Sequence, residues 1–153
     1  MNSFKKLKKK FLIVDYDPEV ISSLMKNKIE CEYGDVDDIE FLEQLNLKDI
    51  KMAVSTIPIF DTNLLLIRTI RKVNKKAIVM CVSHHIDEAH KLYSAGASYV
   101  IMPHFLGGKY ASMLIDKHGF NAGRFDDEKK KHIHHLKKRK ELGHNHPEIE
   151  KNK

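Results

Sequence analysis

The chain of 153 residues contains no tryptophan, only two cysteines and no long hydrophobic run. Its longest apolar stretches, such as AIVMCV at 77–82, are far shorter than the roughly 20 residues that a membrane-spanning helix needs. The apolar segment FLIV, behind the basic start, is too short for the core of a secretory signal peptide. These absences predict a cytoplasmic chain without direct membrane insertion.

The two cysteines, Cys31 and Cys81, lie in apolar segments that resemble strands. A cysteine in such a segment usually behaves as a small hydrophobic side chain, and disulfides are rare in the cytoplasm. We therefore expect two reduced cysteines that contribute to packing.

The net charge of +6 belongs to the two ends of the chain. Residues 1–10 carry five lysines and no acid, and residues 126–153 carry nine basic and six acidic side chains. The body, 11–125, therefore has a charge of −2. A nucleic-acid-binding protein more often places positive charge on a folded face with aromatic side chains. The distribution predicts solvated ends and no nucleic-acid partner.

No catalytic motif is present: the sequence has neither a GxSxG elbow nor a P-loop. His84 and His85 follow a predicted strand, where a surface or phosphate-contacting role is favoured over catalysis. In the charged tail, His132 and His135 share a helix face, but the spacing of the tail histidines matches no named zinc motif. The sequence therefore predicts neither an enzyme nor a metal site.

Short apolar runs alternate with amphipathic helical patterns along the chain. The apolar runs are continuous, so both faces of each strand should be covered, and the alternation predicts an α/β fold with a parallel sheet. The last core helix is predicted at 108–118, and His104, before it, should belong to a turn or to a dimer surface. A tail helix should begin with Asp126 as its cap and end at Gly143. Strands are expected at 11–17, 31–33, 52–57, 77–83 and 99–102, and the other helices at 18–27, 37–46, 61–74 and 87–97.

Several stretches together resemble the nucleotide-binding regulatory domain of potassium channels and transporters, the TrkA N-terminal or RCK type. Within that family the chain is most similar to the carboxyl-terminal domains of Kef-like cation:proton antiporters. The resemblance rests on LIVDYDPEVI (12–21), YGDVDDIEFLEQLNLKDIKMAVSTI (33–57), DTNLLLIRTIRKVN (61–74) and LYSAGASYVIMPHFLGGKYAS (92–112).

This resemblance implies a regulatory module that couples binding of NAD(H) or an adenosine nucleotide to transport. The expected partner is a membrane cation transporter or antiporter subunit, which would hold the chain at the inner face of the membrane. The family also dimerises through its last core helix. The resemblance thus implies a homodimer through 108–118, where Tyr110, Met113 and Leu114 form an apolar stripe.

The resemblance also implies the site residues. Asp15 would accept hydrogen bonds from the adenosine ribose hydroxyls, and Asp35 would lie beside the adenine. Ser55 and Thr56, at the end of the next strand, would face the nucleotide, and Asn63 would open the following helix. For each of these residues a turn or helix-capping role is the alternative, and for Asp17 capping is favoured.

In this family FLIVDYD corresponds to the second strand of a Rossmann fold. The first strand and its glycine-rich turn, GxGxxG, are not found in the sequence. We therefore expect an amino-terminally cut, Rossmann-like three-layer parallel sheet that lacks the first strand, with a charged C-terminal helical tail. The expected division is 1–10 as the end of a truncated helix, 11–118 as the incomplete domain, and 119–153 as the tail. Nucleotide binding should be weak or lost, because the missing turn holds the pyrophosphate.

Two alternatives remain from the sequence. A remnant of a Rossmann-like NAD-dependent oxidoreductase would share the alternating pattern. A degenerate phospho-receiver domain would share the acidic pair after the first strand. However, the strand MAVSTI ends without a phosphoacceptor aspartate, and Met102 stands before Pro103 where a receiver needs lysine.

Overall fold

The computed structural model describes residue 4 and residues 6–141, with side chains described through residue 138. The chain forms two compact units, of which the first ends at His104 and the second begins at Phe105. The division falls in the first turn of a helix, whereas the sequence suggested boundaries at 10/11 and 118/119. The elements in chain order are β1 (Ile13–Asp15), α1 (Pro18–Lys26), β2 (Cys31–Tyr33), α2 (Ile39–Gln44), β3 (Met52–Val54), α3 (Phe60–Val73), β4 (Ile78–Val82), α4 (Ile86–Ala95), β5 (Tyr99–Ile101), α5 (Pro103–His118) and α6 (Ala122–Glu141).

The strands pair in parallel and form two sheets, β1-β2 and β3-β4-β5. Asp15 of β1 is in register with Tyr33 of β2, and Met80 of β4 is in register with both Val54 and Tyr99. Within the described part of the chain, no strand joins β1 to β3, so each has one unpaired edge. The predicted parallel, Rossmann-like α/β fold with an interrupted sheet is confirmed.

The main core lies on one face of the three-stranded sheet. Ile67 and Ile70 of α3 and Leu92 of α4 are fully buried together with Val79 and Cys81 of β4. Burial of an aliphatic side chain of this size contributes about 1.5–3 kcal/mol. The alternate side chains of the same strands are far more exposed, because they point to the opposite face. This exposed set comprises Met52, Val54, Ile78 and Tyr99.

Arg71 of α3 ties the loops at the amino ends of the strands together. Its Nε donates to the Gly96 carbonyl at 2.9 Å, and its Nη1 donates to the carbonyls of Ala77 at 2.8 Å and Asn74 at 3.1 Å. Gly96 ends α4 in the left-handed region with φ of 111°, which favours glycine. A Cβ at this position would lie 3.0 Å from Arg71 Nε. The helix predicted at 87–97 thus ends at Gly96, where both the backbone conformation and the close approach of Arg71 favour glycine.

Two predicted helix boundaries were wrong. Helix α5 begins at Pro103 instead of 108, so His104 lies in its first turn and not in a preceding turn. Proline suits the first helical position, because its φ is already helical and its missing N–H would have no partner there. Helix α6 begins at Ala122 instead of Asp126, because Asn121 Oδ1 accepts from Arg124 N at 3.1 Å and caps the helix. The predicted end at Gly143 lies outside the described residues.

In the second unit, Glu128 of α6 joins the two helices. Its Oε1 lies 3.5 Å from Lys117 Nζ and 3.3 Å from Lys131 Nζ. It also lies 3.3 Å from His118 Nε2, although the angle there is not that of a hydrogen bond. The hydrogen bond from Lys131 and the positive charges of both lysines hold the pKa of Glu128 below its ordinary value. No described helix is long and apolar enough to cross a membrane.

The two thiols should differ in reactivity. Both cysteines are free, as predicted, but Cys81 is fully buried while Cys31 is half-buried. Burial raises the pKa of the Cys81 thiol, and the thiolate is the reactive form. We expect Ellman's reagent to label one thiol per native chain rapidly and both thiols in guanidinium chloride. Cys31→Ala should remove the fast phase, and rapid labelling of two thiols in the native chain would contradict the packing of β4.

Candidate functional site

The carboxyl ends of β1 and β2 bring Asp15 and Asp35 to the same edge of the sheet. Asp15 is the last residue of β1, and its carbonyl accepts from Gly34 N at 3.1 Å, which places the exit of β2 directly beside it. The Asp15 carboxylate is half-buried, and its Oδ1 accepts from Asp17 N at 2.9 Å. Among the described residues no protein group donates to Oδ2. This second oxygen is therefore available to hydroxyl or amine donors of a ligand.

The neighbouring acids have structural roles. Asp17 caps α1 by accepting from Glu19 N at 2.8 Å, and Asp38 caps α2 by accepting from Glu40 N at 2.8 Å. Capping of α1 by Asp17 was predicted and is confirmed. Asp35 is exposed, and its Oδ1 accepts from Asp37 N at 2.9 Å to form a tight turn. Asp15 and Asp35, in contrast to Asp17 and Asp38, do not cap a helix.

Gly34, which directly precedes Asp35, allows the loop after β2 to pass close to α2. A Cβ at this position would overlap the ring of Phe41. The glycine therefore fixes the path of the β2–α2 loop, because any side chain would push Phe41 or the loop away. This close approach therefore also fixes the position of Asp35 at the carboxyl end of β2.

The end of β3 carries Ser55 and Thr56. Ser55 is buried, and its Oγ accepts from Ile57 N at 3.3 Å, while its backbone N–H donates to the Met80 carbonyl at 2.8 Å. Thr56 is exposed. Ser55 thus continues the pairing of β3 with β4, and Thr56 presents its hydroxyl group at the surface of the loop.

Asn63 lies in the first turn of α3, three residues after the helix begins, and is fully buried. Its Nδ2 donates to the Ile57 carbonyl at 2.8 Å and to the Val82 carbonyl at 3.0 Å. The side chain therefore fastens the β3–α3 loop to the end of β4. Its Oδ1 and the Oγ1 of Thr62 are buried without a hydrogen-bond partner among the described residues.

The ends of β4 and β5 bring two histidines together. The rings of His84 and His104 lie edge to face, with centroids 5.7 Å apart. Beside them, Ser83 Oγ accepts from His85 N at 3.2 Å and lies 3.0 Å from Glu88 Oε2. This histidine pair was not predicted from the sequence. The parallel pairing of β4 with β5 could have indicated it, because this pairing places the residues that follow both strands at one edge of the sheet.

The residues that follow β1 and β2 form one rim, and those that follow β3, β4 and β5 form a second rim. The two rims differ in charge. The segments 11–25 and 29–47 contain no lysine or arginine, so the rim of β1 and β2 is acidic. Such a rim attracts hydroxyl and amine donors and repels phosphate. The rim of β3, β4 and β5 carries hydroxyl groups and histidines instead. The described residues contain no cluster of three or more metal-binding side chains.

A sequence profile of the TrkA-N domain matches residues 1–103, which is two thirds of the chain. The chain belongs to the TrkA-N domain family. The predicted family is thus confirmed, while the predicted closeness to Kef-like antiporters stays a prediction. No curated protein matches the chain.

Solved structures share the TrkA-N fold at low sequence identity. The TrkA-N domain of the inner membrane protein ybaL from Escherichia coli is 16% identical, with a TM-score of 0.69 over 74% of this chain and 84% of that one. The NAD(P)-binding domain of an exopolyphosphatase-related protein from Archaeoglobus fulgidus is 21% identical, with a TM-score of 0.66 over 76% of this chain and 86% of that one.

The GsuK channel bound to NAD is a more distant structural relative. It is 18% identical, with a TM-score of 0.54 over 67% of this chain, and the match spans only 18% of the channel chain. At these identities the structural likenesses establish the fold of the TrkA-N domain and nothing beyond the fold.

Proposed function

We propose that this TrkA-N domain is a non-catalytic regulatory module that binds an adenosine nucleotide such as NAD(H) for a potassium or other cation transport system. Membership of the family supports the proposal, as do the NAD-bound and ADP-bound forms of the structurally similar GsuK channel. The single observation on which it depends is the carboxylate of Asp15 at the end of β1, with one oxygen free of protein donors.

The acidic rim suits the ribose end of the nucleotide. Asp15 Oδ2 would accept from the ribose hydroxyls, and Asp35, next to it on the neighbouring strand end, would lie beside the adenine. A carboxylate at the ribose disfavours a 2′-phosphate, because two negative charges would then be close together. The domain should therefore prefer NAD to NADP.

The second rim suits the remainder of the nucleotide. Thr56 would donate its exposed hydroxyl group to the ligand, and the buried Ser55 would hold the loop that carries Thr56. Asn63 would contribute by fastening the same loop to β4, since its Nδ2 is already committed to two carbonyls. His84 and His104 would face the phosphate groups.

The affinity should be weak. A tight Rossmann site holds the pyrophosphate with backbone N–H groups of a glycine-rich turn at a helix N-terminus. The described residues contain no such turn. We expect dissociation constants no tighter than micromolar for this chain.

A regulatory role requires that the nucleotide bind two states of the transport system with different affinity. The proposed partner is therefore a membrane cation transporter or antiporter subunit, with this domain at the cytoplasmic face of the membrane. The domain would then change the population of the open or active state without chemistry of its own.

Replacement of Asp15 tests the ribose contact. Asp15→Asn keeps the shape of the side chain but weakens the acceptor, and loss of one charged hydrogen bond costs about 1.5–3 kcal/mol. We expect NAD and ADP binding, measured by titration calorimetry, to weaken more than tenfold.

The matched control is Asp49→Asn, because Asp49 is exposed at the amino end of β3 and makes one hydrogen bond to Asn46. The control should bind as the unmodified chain does. Equal binding by both variants, or tighter binding of NADP than of NAD, would contradict the role of Asp15.

Self-association tests the proposed dimer through 108–118. Tyr110 and Met113 of α5 are exposed, and no α5 residue is buried in the described structure. We expect a homodimer by light scattering at tens of micromolar protein, because this apolar stripe fits an interface. Met113→Lys should convert a specific dimer to monomer, whereas Lys109→Gln, on the same helix, should not. A monodisperse monomer of the unmodified chain would refute the dimer.

A further inference from the structure

Helix α6 carries a cluster of positive charge. Residues 129–138 contain five lysines, three histidines and no acid. Every side chain of this stretch is exposed. The body of the chain, by contrast, has a slight negative charge, so the basic segment is not part of a general surface excess.

Acids in the preceding turn compensate only part of this charge. Lys130 lies 3.7 Å from Asp127, and Lys131 lies 3.3 Å from Glu128. Lys129, Lys137 and Lys138 have no acidic partner among the described residues. Within the part of the chain whose side chains are described, which ends at residue 138, these three lysines are open to an external anion.

Two aliphatic side chains lie among the lysines. Ile133 and Leu136 are three residues apart, so they share one face of the helix. They are 43% and 49% exposed, and no described residue covers that face. The helix therefore presents both cationic and aliphatic side chains at its surface, as interfacial helices do.

We propose that residues 129–138 of α6 bind the surface of an anionic phospholipid bilayer. The ammonium groups would lie at the lipid phosphates while their alkyl chains cover the interface, and Ile133 and Leu136 would enter the boundary between headgroups and acyl chains. The helix would lie on the membrane and would not cross it. This inference is independent of nucleotide binding by the first unit.

The composition of the segment favours a bilayer over nucleic acid. The stretch 129–138 contains no arginine, phenylalanine, tyrosine or tryptophan, the residue types that most often recognise bases by forked hydrogen bonds or stacking. A nucleic-acid phosphate backbone offers no apolar surface that could bury Ile133 and Leu136. A bilayer uses both the charge and the aliphatic pair.

Vesicle sedimentation tests the charge contribution. A lysine near an anionic membrane contributes about fivefold in partitioning, so Lys129→Gln/Lys137→Gln/Lys138→Gln should weaken binding about a hundredfold. The probe is phosphatidylcholine vesicles with and without phosphatidylglycerol. Glutamine is a good helix former, and circular dichroism of each variant reports whether α6 is retained.

The matched control is Lys72→Gln/Lys75→Gln/Lys76→Gln, which removes the same charge from exposed positions in the first unit. We expect this control to bind phosphatidylglycerol vesicles nearly as the unmodified chain does, and added salt to weaken both. Failure of the unmodified chain to bind these vesicles at low salt would overturn the proposal. Equal binding by the α6 variant and the control would do the same.

A second variant separates a membrane from nucleic acid. Ile133→Ala/Leu136→Ala keeps every charge, so it should weaken vesicle binding several-fold but leave any binding to a DNA duplex unchanged. Unchanged vesicle binding by this variant, together with tighter binding of the unmodified chain to the duplex than to the vesicles, would assign the segment to nucleic acid and overturn the proposal.

Discussion

Replacing Asn74 by alanine should lower the free energy of unfolding by about 2–4 kcal/mol. Asn74 follows α3, and its Nδ2 donates to the carbonyls of Lys48 and Ile50, each at 2.9 Å, and of Leu47 at 3.3 Å. Its Oδ1 accepts from the backbone N–H groups of Ala77 and Lys76. One side chain thus holds the loops before β3 and β4, and alanine leaves all five backbone groups without this partner.

Urea unfolding checks this prediction, with an unchanged slope and a lower midpoint as the expected signature. Asn27→Ala is the matched control, because Asn27 makes a single exposed side-chain hydrogen bond, to the Ser23 carbonyl. The control should lose less than about 1 kcal/mol. If Asn74→Ala lowered the free energy of unfolding no more than the control does, the prediction would be wrong, and water would replace the five hydrogen bonds.

Replacing Asn63 by aspartate should destabilise the chain by about 3–5 kcal/mol near neutral pH. The two side chains have the same shape, but the aspartate would direct a carboxylate oxygen at the carbonyls of Ile57 and Val82. At a fully buried position that charge would have no compensating partner. The β3–α3 loop, with Ser55 and Thr56, should also lose its attachment to β4.

The effect of Asn63→Asp should depend on pH in a defined direction. Burial raises the pKa of the introduced carboxyl group in the folded chain above its value in the unfolded chain. The loss of unfolding free energy is therefore complete at a pH above the pKa in the folded chain. The loss should shrink as the pH falls through the folded pKa towards the unfolded value of about 4. Asn121→Asp, at the exposed cap of α6, keeps an acceptor for Arg124 N, so it should change stability by less than about 1 kcal/mol and show no such recovery. A pH-independent loss for Asn63→Asp would refute burial of the charge.

The sequence was sufficient for the architecture, because each strand is a short apolar run and each helix has local start or stop signals. Asp17 caps a helix as the sequence predicts, Asp38 caps another, and Gly96 ends a third. The ends of the strands were less predictable. The first strand, expected at 11–17, covers only Ile13–Asp15, because it pairs on one side alone and its partner β2 has three residues.

The long-range polar contacts could not be read from the sequence. Arg71 and Asn74 donate mainly to backbone carbonyls, and a carbonyl carries no sequence signature. Asn63 shows the same difficulty. From the sequence alone, a polar residue near the end of a strand could contact a ligand or could be buried with hydrogen bonds to backbone carbonyls. Asp15 differs, because its free carboxylate oxygen follows from its place at the end of a strand next to Gly34.

A titration of the isotope-labelled chain with NAD, followed by amide chemical shifts, tests the nucleotide site most directly. We expect saturable shifts at Asp15, Gly34, Asp35 and the 55–57 loop, with little change in the 47–51 and 74–77 loops at the opposite end of the strands. NADP should cause smaller shifts at the same concentration. Shifts confined to the opposite end, or to α5 and α6, or no shifts at millimolar NAD, would contradict a nucleotide site at the carboxyl ends of the strands.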